Sequence, residues 1–205
     1  AGTSSRTATI AAPDCMKGVN DLAGPEGWAD VEDELLVARV LGGDRDAYRA
    51  LVERHQGAIY RLVAGLARWQ CPSEELAQEV FVAAYEGLRG FDPSRGPFRT
   101  WLLAIARHRA LNACKRSLPI PTAELPARVT VDGPYEMAVG RELEQRLDRA
   151  LAALPIELRT TFVLKEIVGL RTEAIATLEA IDVASVRSRL SRARERLRAA
   201  LGDDP

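Results

Sequence analysis

The stretch from Leu154 to Leu197 reads LPIELRTTFVLKEIVGLRTEAIATLEAIDVASVRSRLSRARERL. Its apolar residues recur at the three- and four-residue spacing of amphipathic helices, and turn signals divide it into three short helices. Pro155 fits the first turn of one helix, which Gly169 ends. Thr172 and Asp182 are suitable N-caps for the next two. Two short helices joined by a tight turn, the second rich in arginine, are typical of a helix-turn-helix.

The last of these helices has an apolar face and a basic face. With Val186, Leu190, Ala193 and Leu197 turned to the core, serine and arginine side chains face outward. Guanidinium groups pair with guanine edges in the major groove or clamp phosphates. A solvated helix at the end of a domain could carry a similar face, so the preceding turn and helix favour DNA binding more than the charge does. The candidate DNA-reading residues are Ser185, Arg187, Ser188, Arg189, Ser191, Arg192 and Arg194.

The segment upstream, residues 117–135, is rich in proline. It holds four prolines, which cannot donate a helical hydrogen bond and which push the preceding residue into an extended conformation. We therefore expect a semi-extended linker with few apolar anchors. The free chain should then be flexible between the domains that the linker joins. The prolines are Pro119, Pro121, Pro126 and Pro134.

Residues further upstream predict another helical domain. A short acidic helix from Asp33 to Leu41 is stopped by two glycines, and Asp44 can cap the long helix that follows. Pro72 or Ser73 opens the next helix, and a third long helix runs from Phe98 to Arg116. The fold class is therefore all-α, with two small helical domains and no strands. The expected division is a flexible arm (1–30), a first domain (31–116), a linker (117–135) and a second domain (136–205).

Charge is segregated along the 205 residues, although the net charge is only −1. Residues 74–86 carry four glutamates and no basic side chain. Residues 98–116 carry five basic side chains and no acid, and residues 187–198 carry six arginines against one glutamate. Segregation of this kind indicates separate acidic and basic working surfaces. Two basic segments in different domains favour a nucleic-acid partner.

Catalytic chemistry is not indicated. The two histidines, His55 and His108, lie in predicted helices without metal-binding spacing, and the chain has neither a phosphate-cradling glycine loop nor a nucleophile elbow. Cys15, Cys71 and Cys114 are far apart, which argues for a reducing interior. No apolar run approaches the roughly 20 residues of a membrane helix. We expect a cytoplasmic protein with no catalytic residue, metal or cofactor.

Two stretches together resemble a known family. The stretch Leu154 to Leu197 resembles region 4 of bacterial sigma factors, which reads the promoter −35 element. The stretch Pro72 to Arg116, PSEELAQEVFVAAYEGLRGFDPSRGPFRTWLLAIARHRALNACKR, resembles sigma region 2. Their separation by a short linker is similar to the extracytoplasmic-function group, and the match covers residues 33–200. The resemblance implies a sigma factor that binds core RNA polymerase, directs promoter-specific initiation and is controlled by an anti-sigma factor.

The resemblance also implies roles for particular residues. The acidic helix would dock on the polymerase clamp, and the residues implied are Glu75, Leu76, Gln78, Glu79 and Val82. The following basic helix would contact the −10 element, and the residues implied are Arg99, Arg107, Arg109, Lys115 and Arg116. Trp101 fits the apolar stripe of that helix and is interpreted as a core residue. The outward residues of the last helix would read the −35 element.

Two departures from the family pattern stand near the predicted turn. Glu179-Ala180 replaces a usual Leu-Gly pair, and alanine in left-handed geometry would cost about 1 kcal/mol. A buried glutamate is also unusual unless it is paired. These departures suggest a rebuilt turn or a shifted helix frame. Arg171 stands where a small capping residue is common.

Two other classes of protein stay open on the sequence. A sigma-like decoy would bind an anti-sigma factor without reading promoters, and the altered turn is its motivation. The outward arginines argue against it, because a decoy has no use for them. An ordinary helix-turn-helix repressor would leave residues 33–116 unexplained and would need a dimerising element that the sequence does not offer.

Overall fold

The computed structural model describes residues 28, 31–67, 71–116 and 146–202. Most of the expected arm and the whole expected linker lie outside these residues. The amino-terminal bundle comprises α1 (Asp33–Leu41), α2 (Arg45–Ala67), α3 (Ser73–Gly87), two 3₁₀ turns (Leu88–Gly90 and Pro93–Arg95) and α4 (Phe98–Arg116). The carboxy-terminal bundle comprises α5 (146–153), α6 (Ile156–Phe162), a π-helical segment (Val163–Ile167), α7 (Thr172–Glu179) and α8 (Val183–Leu201). No strand occurs within the described ranges, and the all-α prediction is confirmed.

The amino-terminal bundle is built around α2, which packs against α1, α3 and α4. The Asp44 carboxylate accepts hydrogen bonds from the backbone N–H groups of Asp46 at 3.0 Å and Ala47 at 3.2 Å, so the predicted N-cap is confirmed. Trp28 belongs to the expected arm but is buried against the core, with the guanidinium of Arg39 over its ring. The ordered bundle therefore begins before the first helix.

The carboxy-terminal bundle contains the expected helix-turn-helix, α7 followed by α8. Asp182 caps α8 as predicted, since its carboxylate accepts a hydrogen bond from the backbone N–H of Ser185 at 2.7 Å. The prediction for Thr172 is wrong. Thr172 is already helical, and the N-cap position of α7 is held by Arg171 without a side-chain hydrogen bond.

The turn between α7 and α8 keeps the left-handed geometry in which glycine is usual. Ala180 has φ 53° and ψ 46°, the left-handed region that costs an L-residue about 1–2 kcal/mol. Ala180 and Ile181 donate their backbone N–H groups to carbonyls in the last turn of α7, as a C-cap requires. The turn is therefore neither rebuilt nor shifted, and the strain at Ala180 is retained.

Replacing Ala180 by glycine should raise the free energy of unfolding by about 1 kcal/mol, because glycine adopts this φ without strain. Urea unfolding followed by circular dichroism measures the change. Ala104→Gly is the matched control: Ala104 is exposed in the middle of α4, where glycine should instead lower stability by about 1 kcal/mol. If both substitutions lower stability, no strain is stored at Ala180.

The two bundles share one hydrophobic core, contrary to the expected flexibility between domains. The π-helical segment packs against α2, where the buried side chain of Val163 lies against Gly65. Arg99 on α4 donates to the carbonyl of Val168 at 2.9 Å. The expectation rested on the proline-rich linker, but the faces of the helices themselves supply the contact.

A buried arginine joins the bundles at the ends of two helices. Arg159 on α6 donates to the carbonyls of Leu66 at 3.2 Å, Ala152 at 2.6 Å and Leu154 at 3.2 Å, and Cys114 also donates to the carbonyl of Leu66. These carbonyls lie at or beyond the carboxyl ends of α2 and α5, where the helix dipole favours a cation. Burial lowers the pKa of the Arg159 guanidinium, which still stays charged at neutral pH. No local sequence motif marks Arg159 for this position.

Candidate nucleic-acid interface

The outward face of α8 carries the side chains expected to read DNA. Val186, Leu190, Ala193 and Leu197 are buried, which confirms the assignment of the inward face. Five of the candidate residues are exposed; one of them, Arg194, pairs with Glu166, and the other four lie within about two turns of helix. They are Arg187, Ser188, Ser191 and Arg192.

The remaining three candidates on α8 contact residues outside that helix, whereas Arg192 donates to Ser188 within it. Ser185 donates its hydroxyl to the Asp182 carboxylate at 2.8 Å, and hydrogen bonds from its backbone N–H and hydroxyl lower the pKa of Asp182. Arg194 pairs with Glu166 of the π-helical segment at 2.5 Å. Arg189 pairs with Glu179 at 3.1 Å. These three side chains therefore stabilise the helix-turn-helix as well as lying on or near its DNA-facing side.

Glu179 is the centre of a buried cluster between the bundles. Its side chain is only 1% exposed and accepts hydrogen bonds from the Thr161 hydroxyl at 2.7 Å and from Arg189. The Nε atom of Arg107, on α4 of the other bundle, lies 3.7 Å from the second carboxylate oxygen. The glutamate that looked out of place in the sequence is thus paired with an arginine from each bundle.

The basic residues of α4 fall into two groups. Arg99 and Arg107 reach across to the carboxy-terminal bundle, and Arg109 pairs with Glu79 of α3 at 3.2 Å. Lys115 and Arg116 are exposed at the end of the helix. Only these two of the five candidates form an open basic surface in this arrangement.

Trp101 on α4 belongs to an aromatic cluster. Its ring lies 5.5 Å from the ring of Phe91 and 5.6 Å from that of Phe98, centroid to centroid. The side chain is partly buried against the amino-terminal core. The interpretation of Trp101 as a packing residue agrees with this arrangement.

The acidic helix α3 presents an exposed face with both charged and apolar side chains. Glu75, Gln78 and Glu79 are exposed, and Val82 is 58% exposed. Leu76 is buried in the core, so its assignment to the polymerase-binding surface needs correction: a side chain turned inward cannot contact a partner. Tyr85, one turn further along, is 50% exposed and extends this face, although it is not among the residues that the resemblance implied.

Other kinds of site are not evident in the part of the chain that the structure describes. Its helices include none that is both long and apolar enough to cross a bilayer. Its histidine, cysteine and acidic residues form no group placed to hold a metal ion. Cys71 and Cys114 are not joined in a disulfide, and burial raises the pKa of both thiols.

The carboxy-terminal bundle has a helix-turn-helix with an exposed basic face, and the amino-terminal bundle has one acidic and one basic helix. These features define the class as a helical DNA-binding protein. The family model for sigma-70 region 2 matches residues 51–117, and that for sigma-70 region 4 matches residues 144–197. The chain is 33% identical over 178 residues to the sigma-E factor of Escherichia coli, covering 80% of this chain and 91% of that one. It is 32% identical over 182 residues to the sigma-H factor of Pseudomonas aeruginosa, covering 83% and 94%. The chain belongs to the extracytoplasmic-function sigma factors of the sigma-70 family.

Solved structures agree with this assignment. The fold is similar to that of CnrH in complex with the cytosolic domain of CnrY, with a TM-score of 0.65 and 27% identity, over 84% of this chain and 99% of that one. It is also similar to the sigma factor RpoE of Bartonella quintana, solved with the anti-sigma factor NepR, with a TM-score of 0.62 and 19% identity, over 77% and 98%. At 19% identity, the similarity to RpoE supports the fold only. As a sigma factor, the chain is a specificity subunit for transcription initiation.

Proposed function

We propose that this chain binds core RNA polymerase through α3, contacts the −10 element through α4 and reads the −35 element through α8. The observation that carries the proposal is the exposed row of arginine and serine on α8, set on a helix-turn-helix whose turn geometry is intact. A major groove admits one helix, whose outward side chains then meet the base edges. Because the turn is intact, the Glu179-Ala180 pair gives no reason to prefer the decoy.

The proposed polymerase-binding surface is the exposed face of α3. It combines acidic and amide side chains at Glu75, Gln78 and Glu79 with exposed apolar side chains at Val82 and Tyr85. An acidic rim suits a basic partner, and exposed apolar side chains at its centre supply area to bury. The surface thus has the composition of a protein–protein interface.

The double substitution Gln78→Ala with Glu79→Arg should weaken binding to core polymerase at least tenfold, because it removes one polar contact and reverses one charge on this surface. Both side chains are exposed, and the ion pair of Glu79 with Arg109 that the change removes is itself exposed and contributes little, so the fold should be retained. A pull-down titration with core polymerase measures the affinity. Glu53→Arg makes the same charge reversal at an exposed position of α2 and should leave the affinity unchanged. Equal affinities for all three proteins would show that the surface is wrongly assigned.

Reading both promoter elements requires the bundles to separate. The −35 and −10 elements lie about 25 base pairs apart, which is roughly 85 Å of B-DNA at 3.4 Å per pair. The longest helix, α2, has 23 residues and spans only about 35 Å. Two bundles in direct contact cannot cover both elements, so the arrangement with a shared core is a closed state of the free chain.

The proposed −10 contacts fit this requirement. Lys115 and Arg116 are exposed in the closed state, whereas Arg99 and Arg107 are held by the carboxy-terminal bundle. Separation would expose the latter two to phosphates, together with Arg109 if it leaves Glu79. On this proposal the full −10 surface forms only when the bundles part.

A regulatory partner is also proposed. CnrH, similar to this chain, was solved with the cytosolic domain of CnrY, which supports an anti-sigma factor for this chain as well. Such a partner would hold the two bundles and cover the exposed face of α3. We place the protein in the cytoplasm, where its polymerase works and where free thiols persist. No residue is assigned a catalytic role.

A further inference from the structure

Three side chains from both bundles surround the Glu179 carboxylate: two donate hydrogen bonds to one of its oxygens, and the Nε atom of Arg107 lies 3.7 Å from the other oxygen, which accepts no hydrogen bond. Thr161 and Arg189 belong to its own bundle, and Arg107 belongs to the other. A desolvated carboxylate is costly unless charged or polar groups surround it. Separation of the bundles would take Arg107 away and leave Glu179 with one arginine. The ion pair with Arg107 therefore stabilises the closed state specifically.

Both arginines in this cluster lie on surfaces that DNA would use. Arg189 lies on α8, and Arg107 lies on the basic helix α4. Their side chains are 25% and 29% exposed, so Glu179 occupies guanidinium groups that phosphates would otherwise bind. The carboxylate and a DNA phosphate compete for the same cations.

We propose that Glu179 is an ionic latch that holds this sigma factor in a self-inhibited closed state by engaging Arg107 of the other bundle, while Arg189 and Thr161 of its own bundle keep the carboxylate in position. The inference rests on the proposed function, since inhibition is meaningful only if those surfaces bind DNA. When the latch opens, Arg107 leaves the Glu179 carboxylate and becomes able to bind the phosphates of the nucleic acid. The free chain is thereby kept from binding DNA before polymerase separates the bundles.

A second contact allows the latch to be tested without changing any charge. A Cβ atom at Gly65 would lie 2.9 Å from both methyl carbons of Val163, which is too close for either to remain in place. Val163 is fully buried between the bundles, so its neighbours must also shift if it is to make room for the added methyl group. Alanine is a better helix former than glycine, so Gly65→Ala should preserve α2 while forcing the bundles apart.

The experiment compares Glu179→Gln and Gly65→Ala with matched controls in the full chain. Glu173→Gln makes the same change at an exposed position of α7, and Gly57→Ala makes the same change in α2, where only the mobile end of the Arg61 side chain is near. Small-angle scattering gives the radius of gyration. Fluorescence anisotropy with a labelled 20-nucleotide single strand of random sequence gives the affinity for phosphates.

Both test variants should show a larger radius of gyration and bind the single strand about tenfold more tightly than the wild type. A guanidinium released in the open state can donate a hydrogen bond to a phosphate, and a hydrogen bond to a charged group changes an equilibrium constant by about that factor or more. Both controls should match the wild type. The latch is overturned if the test variants stay as compact as the wild type, or if they open without gaining affinity. If Glu179→Gln fails to fold, the Gly65→Ala variant alone provides the test.

Transcription with core polymerase separates failure of the latch from failure of the proposed function. Wild-type protein that initiates at discrete promoters, with test variants that neither open nor gain affinity, overturns the latch alone. Absence of promoter-directed transcripts from the wild type and from both opened variants overturns the proposed function and the latch with it.

Discussion

Replacing Arg159 by alanine should lower the free energy of unfolding by about 3 kcal/mol. The side chain donates to three carbonyl groups from two helix ends, and hydrogen bonds to a charged donor are typically worth about 1.5–3 kcal/mol each before desolvation of the guanidinium is subtracted. Loss of the buried aliphatic stem adds to the effect. Urea unfolding of the full chain measures it.

Two further variants show which part of the Arg159 side chain matters. Arg159→Met keeps the stem and removes the donors, so it should lose most of the same stability, about 2 kcal/mol. Arg198→Ala removes an exposed arginine from α8 and should change stability by less than about 0.5 kcal/mol. A loss below about 1 kcal/mol for Arg159→Ala would mean that desolvation cancels the three hydrogen bonds, and that this residue does not hold the helix ends together.

Arg187→Ala should cost about 1–3 kcal/mol of binding free energy at a cognate −35 element and relax the preference at one base. Arg187 is exposed at the start of the outward face of α8, beside Ser188 and one turn before Ser191. An arginine in that position can form a bidentate pair with guanine, which is worth about this much discrimination. Titrations of cognate and altered duplexes with polymerase holoenzyme measure both effects.

Arg196→Ala is the counterpart of this substitution. Arg196 is also exposed but lies further along α8, where phosphates are the nearer groups. Its loss should weaken binding to all duplexes alike and reduce the slope of log affinity against log salt by about one. If both variants lose affinity equally for all duplexes, α8 contacts only the phosphate backbone of the DNA. If neither variant loses affinity for DNA, the sigma-like decoy is the better interpretation.

The helices could be predicted from the sequence because their signals are local. Asp44 and Asp182 cap the helices that they were expected to cap, and α4 runs from Phe98 to Arg116 as its apolar spacing indicated. Thr172 was misjudged because an extended residue before a helix, here Arg171, can hold the N-cap position without a side-chain hydrogen bond. The π-helical segment was not anticipated either, since no local sequence motif marks it.

The contacts between bundles could not be predicted, because residues far apart in sequence make them. Arg99 and Arg107 looked like free phosphate contacts, and only the fold brings Val168 and Glu179 next to them. The unusual glutamate at position 179, where an aliphatic residue is common, was the one local signal, and it was interpreted as a sign of a rebuilt turn or a shifted helix frame. Leu76 was misassigned because a motif identifies a helix without specifying which of its side chains turn inward.

The most direct test of the central claim is transcription by core RNA polymerase reconstituted with this chain on genomic DNA, with the transcript ends sequenced. We expect discrete start sites that core polymerase alone does not use, preceded by shared −10 and −35 sequences. We also expect Gln78→Ala with Glu79→Arg to reduce transcription at every one of these sites. Start sites indistinguishable from those of core polymerase alone would contradict the assignment of this chain as an active promoter-reading subunit.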